Sequence, residues 1–121
     1  MATDIFKKGS IEMLTLLMLQ EEDIHGYQIS QLIKERSGGL LTVQEGALYP
    51  LLYRMEANGY ISGHQQTVET KFGRGRTRVV YHLEPPGRQR LLTLKQEYDQ
   101  VQTGIQNVFQ NSVEIGYEKQ E

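Results

Sequence analysis

Residues 60–83 of this chain read YISGHQQTVETKFGRGRTRVVYHL, and that stretch decides the fold. Tyr60 to Glu69 reads as an extended strand. Thr70-Lys71-Phe72-Gly73-Arg74-Gly75-Arg76-Thr77 is a glycine-rich basic turn. Arg78-Val79-Val80-Tyr81-His82-Leu83 is rich in the β-branched and aromatic residues that suit a pleated, half-buried strand. Strand, basic turn and strand make a β-hairpin.

Three helical patterns precede it. The nearest starts near Gln44 and runs to about Ala57. Leu48, Leu51, Leu52 and Met55 form its buried stripe, and Asn58-Gly59 stops it. Pro50 falls in its first turn or two, where a missing N–H is least costly. Leu40-Leu41-Thr42-Val43 reads as a short extended piece. The second helix takes Asp23 as its cap and Tyr27, Ile29, Leu32 and Ile33 as its apolar face; Ser37-Gly38-Gly39 ends it. The first runs from an N-cap at Ser10 to about Gln20 and is apolar around most of its circumference, so it belongs at the centre of the core.

Beyond the hairpin, Glu84-Pro85-Pro86-Gly87 breaks the strand and starts a long helix, from about Pro86 to Asn111. Its apolar residues are Leu91, Leu94, Tyr98, Val101, Ile105 and Val108, alternating steps of three and four: a heptad seam for helix pairing. Gly104 weakens that helix by about 1 kcal/mol relative to Ala. The expected fold is mainly α with a small β-hairpin. Residues 1–84 read as a winged helix-turn-helix, and residues 85–121 as a C-terminal dimerisation helix with a polar tail.

Composition bounds the function. The chain has 121 residues, 38% hydrophobic and 23% charged, so it holds one modest core that a partner subunit would reinforce. There is no cysteine, which excludes disulfides, thiolate metal sites and thiol nucleophiles and suits a cytoplasmic location. The residues after Met1 carry no secretory pattern. The longest apolar run, Leu14 to Leu19, is broken by Thr15 and is far short of a membrane span. Net charge is −2, yet Lys71, Arg74, Arg76, Arg78, Arg88 and Arg90 face only Glu84 within residues 70–90. A mildly acidic protein thus carries one concentrated basic segment, the footprint of an anionic partner.

Three helices and a hairpin are the order of a winged helix-turn-helix, an architecture that places the third helix in a DNA major groove and the hairpin tip on the neighbouring backbone or in the minor groove. Lys71, Arg74 and Arg76 at the tip suit phosphate contact. Gln44, Glu45, Tyr49, Tyr53 and Arg54 lie off the buried stripe of the third helix; Gln and Arg can pair with base edges, and Tyr can donate to a phosphate. A catalytic reading fails on inventory: no Gly-x-Ser-x-Gly, no phosphate-cradling Gly-Lys-Ser/Thr and no histidines clustered with carboxylates. His25, His64 and His82 share no metal-ligand spacing. No cofactor is expected.

His25-Gly26-Tyr27, Gly46-Ala47-Leu48-Tyr49-Pro50-Leu51-Leu52-Tyr53-Arg54-Met55-Glu56 followed by Gly59-Tyr60-Ile61, and Arg78-Val79-Val80-Tyr81-His82-Leu83 with Gly87 resemble the PadR family of bacterial transcriptional regulators. The resemblance covers roughly residues 9–108. It implies a homodimer, in which the long helix packs on the partner together with the first helix, and two heads that read a palindromic operator in double-stranded DNA. It implies the short subclass, with a single C-terminal helix, and ligand sensing in many members. Carried over residue by residue, it completes the DNA-facing set as Tyr27, Gln44, Ala47, Tyr49, Pro50, Tyr53, Arg54, Lys71, Arg74, Arg76 and Arg78.

Two segments depart from the family pattern. Its usual Arg-Lys-Tyr-Tyr is here Arg78-Val79-Val80-Tyr81, which loses a basic and an aromatic group; its Thr-Glu-x-Gly is here Glu84-Pro85-Pro86-Gly87, which changes a cap. Tyr98 stands where some drug-sensing members carry a Trp that stacks on flat ligands, so Tyr98 and Val101 are the candidate site for a small aromatic effector.

Several residues keep two readings. Tyr49 is a phosphate donor or a core aromatic. Tyr27 packs beneath the third helix or points at the backbone. Arg54 meets phosphate or pairs with an acid such as Glu56. Arg88 and Arg90 sit where the helix dipole disfavours cations, which points to an external anion or to a solvated surface. The expected function is a ligand-responsive homodimeric repressor. The alternative is a winged-helix adaptor that has lost DNA binding, motivated by the acidic balance and the altered Arg78-Val79 strand.

Overall fold

The computed structural model describes residues 3–68, 73 and 75–113. The chain folds as α1 (Thr3–Glu21), β1 (Ile24–His25), α2 (Gly26–Arg36), α3 (Glu45–Ala57), β2 (Ile61–Val68), β3 (Arg76–Leu83) and α4 (Pro85–Gln110). It is mainly helical, with one antiparallel sheet in the order β1-β3-β2. The expected hairpin is therefore joined by a third, very short strand.

That strand explains one difference from the sequence reading. Ile24 and His25 pair with Tyr81 and Val80, so the backbone stays extended through His25 and α2 cannot begin at Asp23. His25 is the cap instead: the Gln28 N–H donates to His25 Nδ1 (3.4 Å), and the His25 N–H donates to the Gln28 side chain (3.3 Å). Asp23, released from capping, meets His82 Nδ1 at 2.8 Å. The first helix likewise starts at Thr3, ahead of Ser10, because a cap preference of about 1 kcal/mol is easily overridden by continued backbone hydrogen bonding. Leu40 to Val43 forms no strand; Ser37 Oγ accepts from the Leu41 N–H at 2.9 Å and turns the chain toward α3.

The other boundaries lie within two residues of expectation, and their stop signals act as such. After α3 the Gly59 N–H bonds the Glu56 carbonyl and the Tyr60 N–H bonds the Met55 carbonyl, with Gly59 at φ 77°. This reversal needs the left-handed conformation that glycine adopts without penalty. Pro50 is the sixth residue of α3; the Gly46 carbonyl it leaves without a helical donor sits at an exposed position.

One core joins these elements. Leu16 of α1, Ile29 of α2, Leu48, Leu52 and Met55 of α3 and Ile61 of β2 are fully buried, with Tyr81 and Leu83 closing it from β3. The first turns of α4 are locked onto it. Gly87 sits so close to Tyr60 that a β-carbon there would lie 2.1 Å from the Tyr60 carbonyl oxygen. Leu91 is only 7% exposed and completes the core against α1. Arg90 donates to Glu12 of α1 through Nε (2.9 Å) and Nη2 (3.3 Å) and lies over the Tyr60 ring, 5.8 Å from its centroid. Arg90 therefore has its anion inside the molecule, and no external one is called for. Beyond Leu94 the helix carries exposed Tyr98, Val101, Ile105, Val108 and Phe109.

Candidate nucleic-acid interface

The interface begins with the two-sidedness of α3. Leu48, Leu51, Leu52 and Met55 point into the core, so Ala47, Pro50, Tyr53 and Arg54 are turned to solvent, with Gln44 at the N-cap. Tyr53 is 63% exposed, so its ring and hydroxyl are open to a partner. Arg54 has no ion pair among the described residues. Glu56, its suggested partner, instead accepts from the Gly63 N–H at 3.0 Å.

Tyr49 combines its two readings. It is partly buried against the core, and its ring lies across Gly26, where a β-carbon would approach the hydroxyl to 2.9 Å. Burial, with smaller pushes from Glu45 and Tyr53, raises its pKa, so the phenol stays protonated and remains a hydrogen-bond donor. Packing fixes the ring; the hydroxyl stands at the start of α2. Tyr27 projects from that same start, 54% exposed, and does not pack beneath α3.

The sheet supplies the third component. Residues paired across strands share a face, so Arg78, Val80 and His82 of β3 lie on the face carrying Gln66, His64 and Ser62 of β2 and His25 of β1; Ile24, Tyr81, Leu83 and Ile61 point into the core. Arg76 continues that outer row. Burial and then the Arg78 charge lower the His25 pKa. His25 is thereby held neutral, as its role as a cap acceptor requires, and Arg78 is placed beside the α2 N-terminus. Arg76 and Arg78 are exposed, without ion pairs among the described residues. Lys71 and Arg74 lie outside the described residues.

Tyr27, Tyr49 and Arg78 thus gather around the start of α2, next to the outer face of α3. Tyr98 and Val101 are elsewhere: they line an apolar groove of about 320 Å³ between α1 and α4, with Met13, Leu94 and Ile105. Tyr98 also lines an adjoining groove of about 450 Å³ with Leu14, Leu17 and Leu92. Among the described residues no cluster of His, Asp and Glu is arranged to hold a metal, and no described helix is long and apolar enough to cross a membrane.

The ties at the base of the hairpin escaped the sequence reading. The Ser62 hydroxyl donates to Glu84 at 2.6 Å and lies 3.1 Å from His64 Nε2, His82 meets Asp23, and Glu56 meets Gly63. Apart from Ser62–His64, which lies within β2, these pairs tie segments distant in sequence, and no residue spacing announces them. The His25–Gln28 box had a signal, the spacing of a capping box with histidine in place of the usual Ser or Thr.

The chain matches the model of the transcriptional regulator PadR-like family over residues 14–93. A transcriptional regulator of Mycobacterium tuberculosis is 32% identical over 83 residues, covering 69% of this chain and 70% of that protein. The crystal structure of a PadR-like transcriptional regulator from Bacillus cereus superposes with a TM-score of 0.68 at 30% identity, over 87% of this chain and 96% of that one. Bacillus subtilis PadR, solved in complex with operator DNA, superposes with a TM-score of 0.61 over 69% of this chain and 45% of its own; at 24% identity it bears on the fold alone.

Proposed function

The chain belongs to the PadR-like family of transcriptional regulators, and from that premise we propose that it binds double-stranded DNA as a homodimer and represses transcription until a small aromatic effector releases it. Members of this family are regulators and not enzymes. The observation that carries the reading is the exposed face of α3. There Tyr53 and Arg54 are exposed, β3 exposes Arg76 and Arg78, and none of the three arginines has an ion pair among the described residues. The winged-helix protein of Bacillus subtilis whose fold this chain shares is seen on operator DNA.

In this reading α3 enters the major groove. Gln44, Ala47, Pro50, Tyr53 and Arg54 face base edges and sugar, and Tyr27, Tyr49 and Arg78 hold the flanking phosphates. Arg76, with Lys71 and Arg74, follows the backbone at the hairpin. Residues 1–84 act as the reading head and residues 85–121 as the joining element. Two heads joined through Leu94, Tyr98, Val101, Ile105 and Val108 address the two halves of a palindromic operator. Leu91 supports that seam from inside its own protomer. The groove lined by Tyr98 and Val101 accepts the effector, which shifts the population toward a head spacing that no longer fits one helical turn. The protein operates in the cytoplasm.

The test is fluorescence anisotropy on DNA directly upstream of the encoding gene, over a salt series. The parent is expected to bind with a steep salt dependence. Arg76→Ala with Arg78→Ala is expected to lower the slope of log K against log salt by about 2, one unit for each phosphate that is no longer neutralised. A folded protein that ignores this DNA and random duplexes alike would sink the reading and favour the adaptor.

A further inference from the structure

Glu56 stands on α3 two residues beyond Arg54, at the edge of the proposed DNA face. An acid there is unfavourable on electrostatic grounds, since it repels phosphate. Its carboxylate is nevertheless engaged within the fold, where Oε2 accepts the Gly63 N–H at 3.0 Å. Gly63 lies on β2, an edge strand, paired with Tyr81. Position 63 is also closed to side chains. A β-carbon there would lie 2.9 Å from Val79 Cγ1 and 3.3 Å from the bonded Glu56 oxygen. The missing side chain and the acid together form a close-fitting joint between α3 and the root of the hairpin. Charge on Glu56 also reaches the buried Tyr81 phenol, raising its pKa after the larger effect of burial.

The geometry points to Glu56 as a positioning residue that fixes the hairpin relative to α3, so that hairpin and helix meet the same DNA in one register. This rests on the DNA-binding reading above. Base edges are read by α3 and phosphates by the hairpin; a joint that holds the angle between them converts phosphate contacts into sequence register. Specific binding depends on that angle, whereas non-specific binding, which tolerates any register, does not.

Sign distinguishes the joint from plain electrostatics. If Glu56 acts only as a charge, Glu56→Ala and Glu56→Gln relieve the same repulsion and tighten binding alike. If it acts as a joint, Gln keeps a carbonyl acceptor for the Gly63 N–H and Ala does not. We would measure anisotropy on the upstream duplex and on a shuffled duplex of equal composition. Glu56→Ala is expected to lose about tenfold in the ratio of specific to non-specific affinity, comparable to one mismatched base pair, with Gln within about threefold of the parent. Backbone amide exchange at Gly63 should quicken in the Ala variant and not in the Gln variant.

Equal tightening by both variants, equal losses on both duplexes, or unchanged Gly63 exchange in Glu56→Ala would each overturn the proposal while leaving DNA binding intact. A parent that binds neither duplex removes the DNA reading itself, and the proposal with it. Thermal melts of the variants guard against global unfolding. Gly63→Ala attacks the joint from its other side and should reproduce the loss of specificity; parent-like specificity there would count against the joint.

Discussion

Thr15 is fully buried in α1, and its hydroxyl has no hydrogen-bond partner among the described residues. A stranded polar group in a core costs about 1–3 kcal/mol. Thr15→Val keeps the branched shape and removes the hydroxyl, so it should stabilise the protein by about 1 kcal/mol. The check is a higher urea midpoint at unchanged slope; a lower midpoint would mean that the hydroxyl is satisfied in solution. Two histidines oppose each other in pH. Asp23, hydrogen-bonded to His82, raises its pKa. That contribution is complete below the unfolded-state value and is lost as pH rises through the raised one. Burial lowers the His25 pKa, so its contribution is present above the unfolded-state value and is lost as pH falls through the lowered one. NMR titration should therefore show His82 deprotonating at higher pH than His25. Asp23→Asn should bring His82 back toward the ordinary imidazole range and leave His25 where it was. A His82 that titrates below His25 would refute at least one of the two assignments.

At the scale of elements, the tightest fit is the start of α4 against the turn between α3 and β2. Gly87 faces the Tyr60 carbonyl, which is backbone and cannot rotate away, with Leu83 Cδ1 also within 2.7 Å of an added β-carbon. Gly87→Ala must therefore shift α4 and should cost about 3 kcal/mol, at the upper end of overpacking, measured by urea denaturation. A loss below about 1 kcal/mol would mean that α4 is free to slide. Glycine at this position is visible in the sequence, but what presses on it is not. The same contrast holds through the molecule. The stripe Leu48, Leu51, Leu52 and Met55 announced α3, and Gly59 announced its end, because periodicity and left-handed stops are local properties. The shift of the α2 cap from Asp23 to His25 was hidden because it follows from pairing with β3, more than fifty residues away. Arg90 looked exposed from its place in α4; only tertiary structure sets Glu12 and Tyr60 beside it. At the candidate site, outward Tyr53 and Arg54 followed from the buried stripe, whereas the halves of Tyr49, ring packed and hydroxyl at the start of α2, needed the fold.

For the whole molecule, the question is what the far half of α4 is for. Val101, Ile105, Val108 and Phe109 are exposed along the far half of α4, where Val101 and Ile105 line the groove shared with α1 and, among the described residues, none of the four is buried in the core. A helix with one exposed apolar stripe and no tertiary packing is marginal in water. In the proposed dimer a second copy of the same helix covers the stripe, and its three-four spacing suits such pairing. Ile105→Glu places a charge in that seam, far from α3 and from the core. In the dimer reading it halves the mass in sedimentation velocity at micromolar concentration. Affinity for a two-site operator duplex should then fall by about 10²-fold or more, since the second head no longer binds as a tethered group, while affinity for a single half-site stays unchanged. The stability of the head should barely move, because position 105 contributes nothing to its core. A parent that already sediments as a monomer, or a variant that keeps the dimer mass, would break the link between seam and operator. A variant that loses the dimer and the half-site affinity together would show that the seam also supports the head.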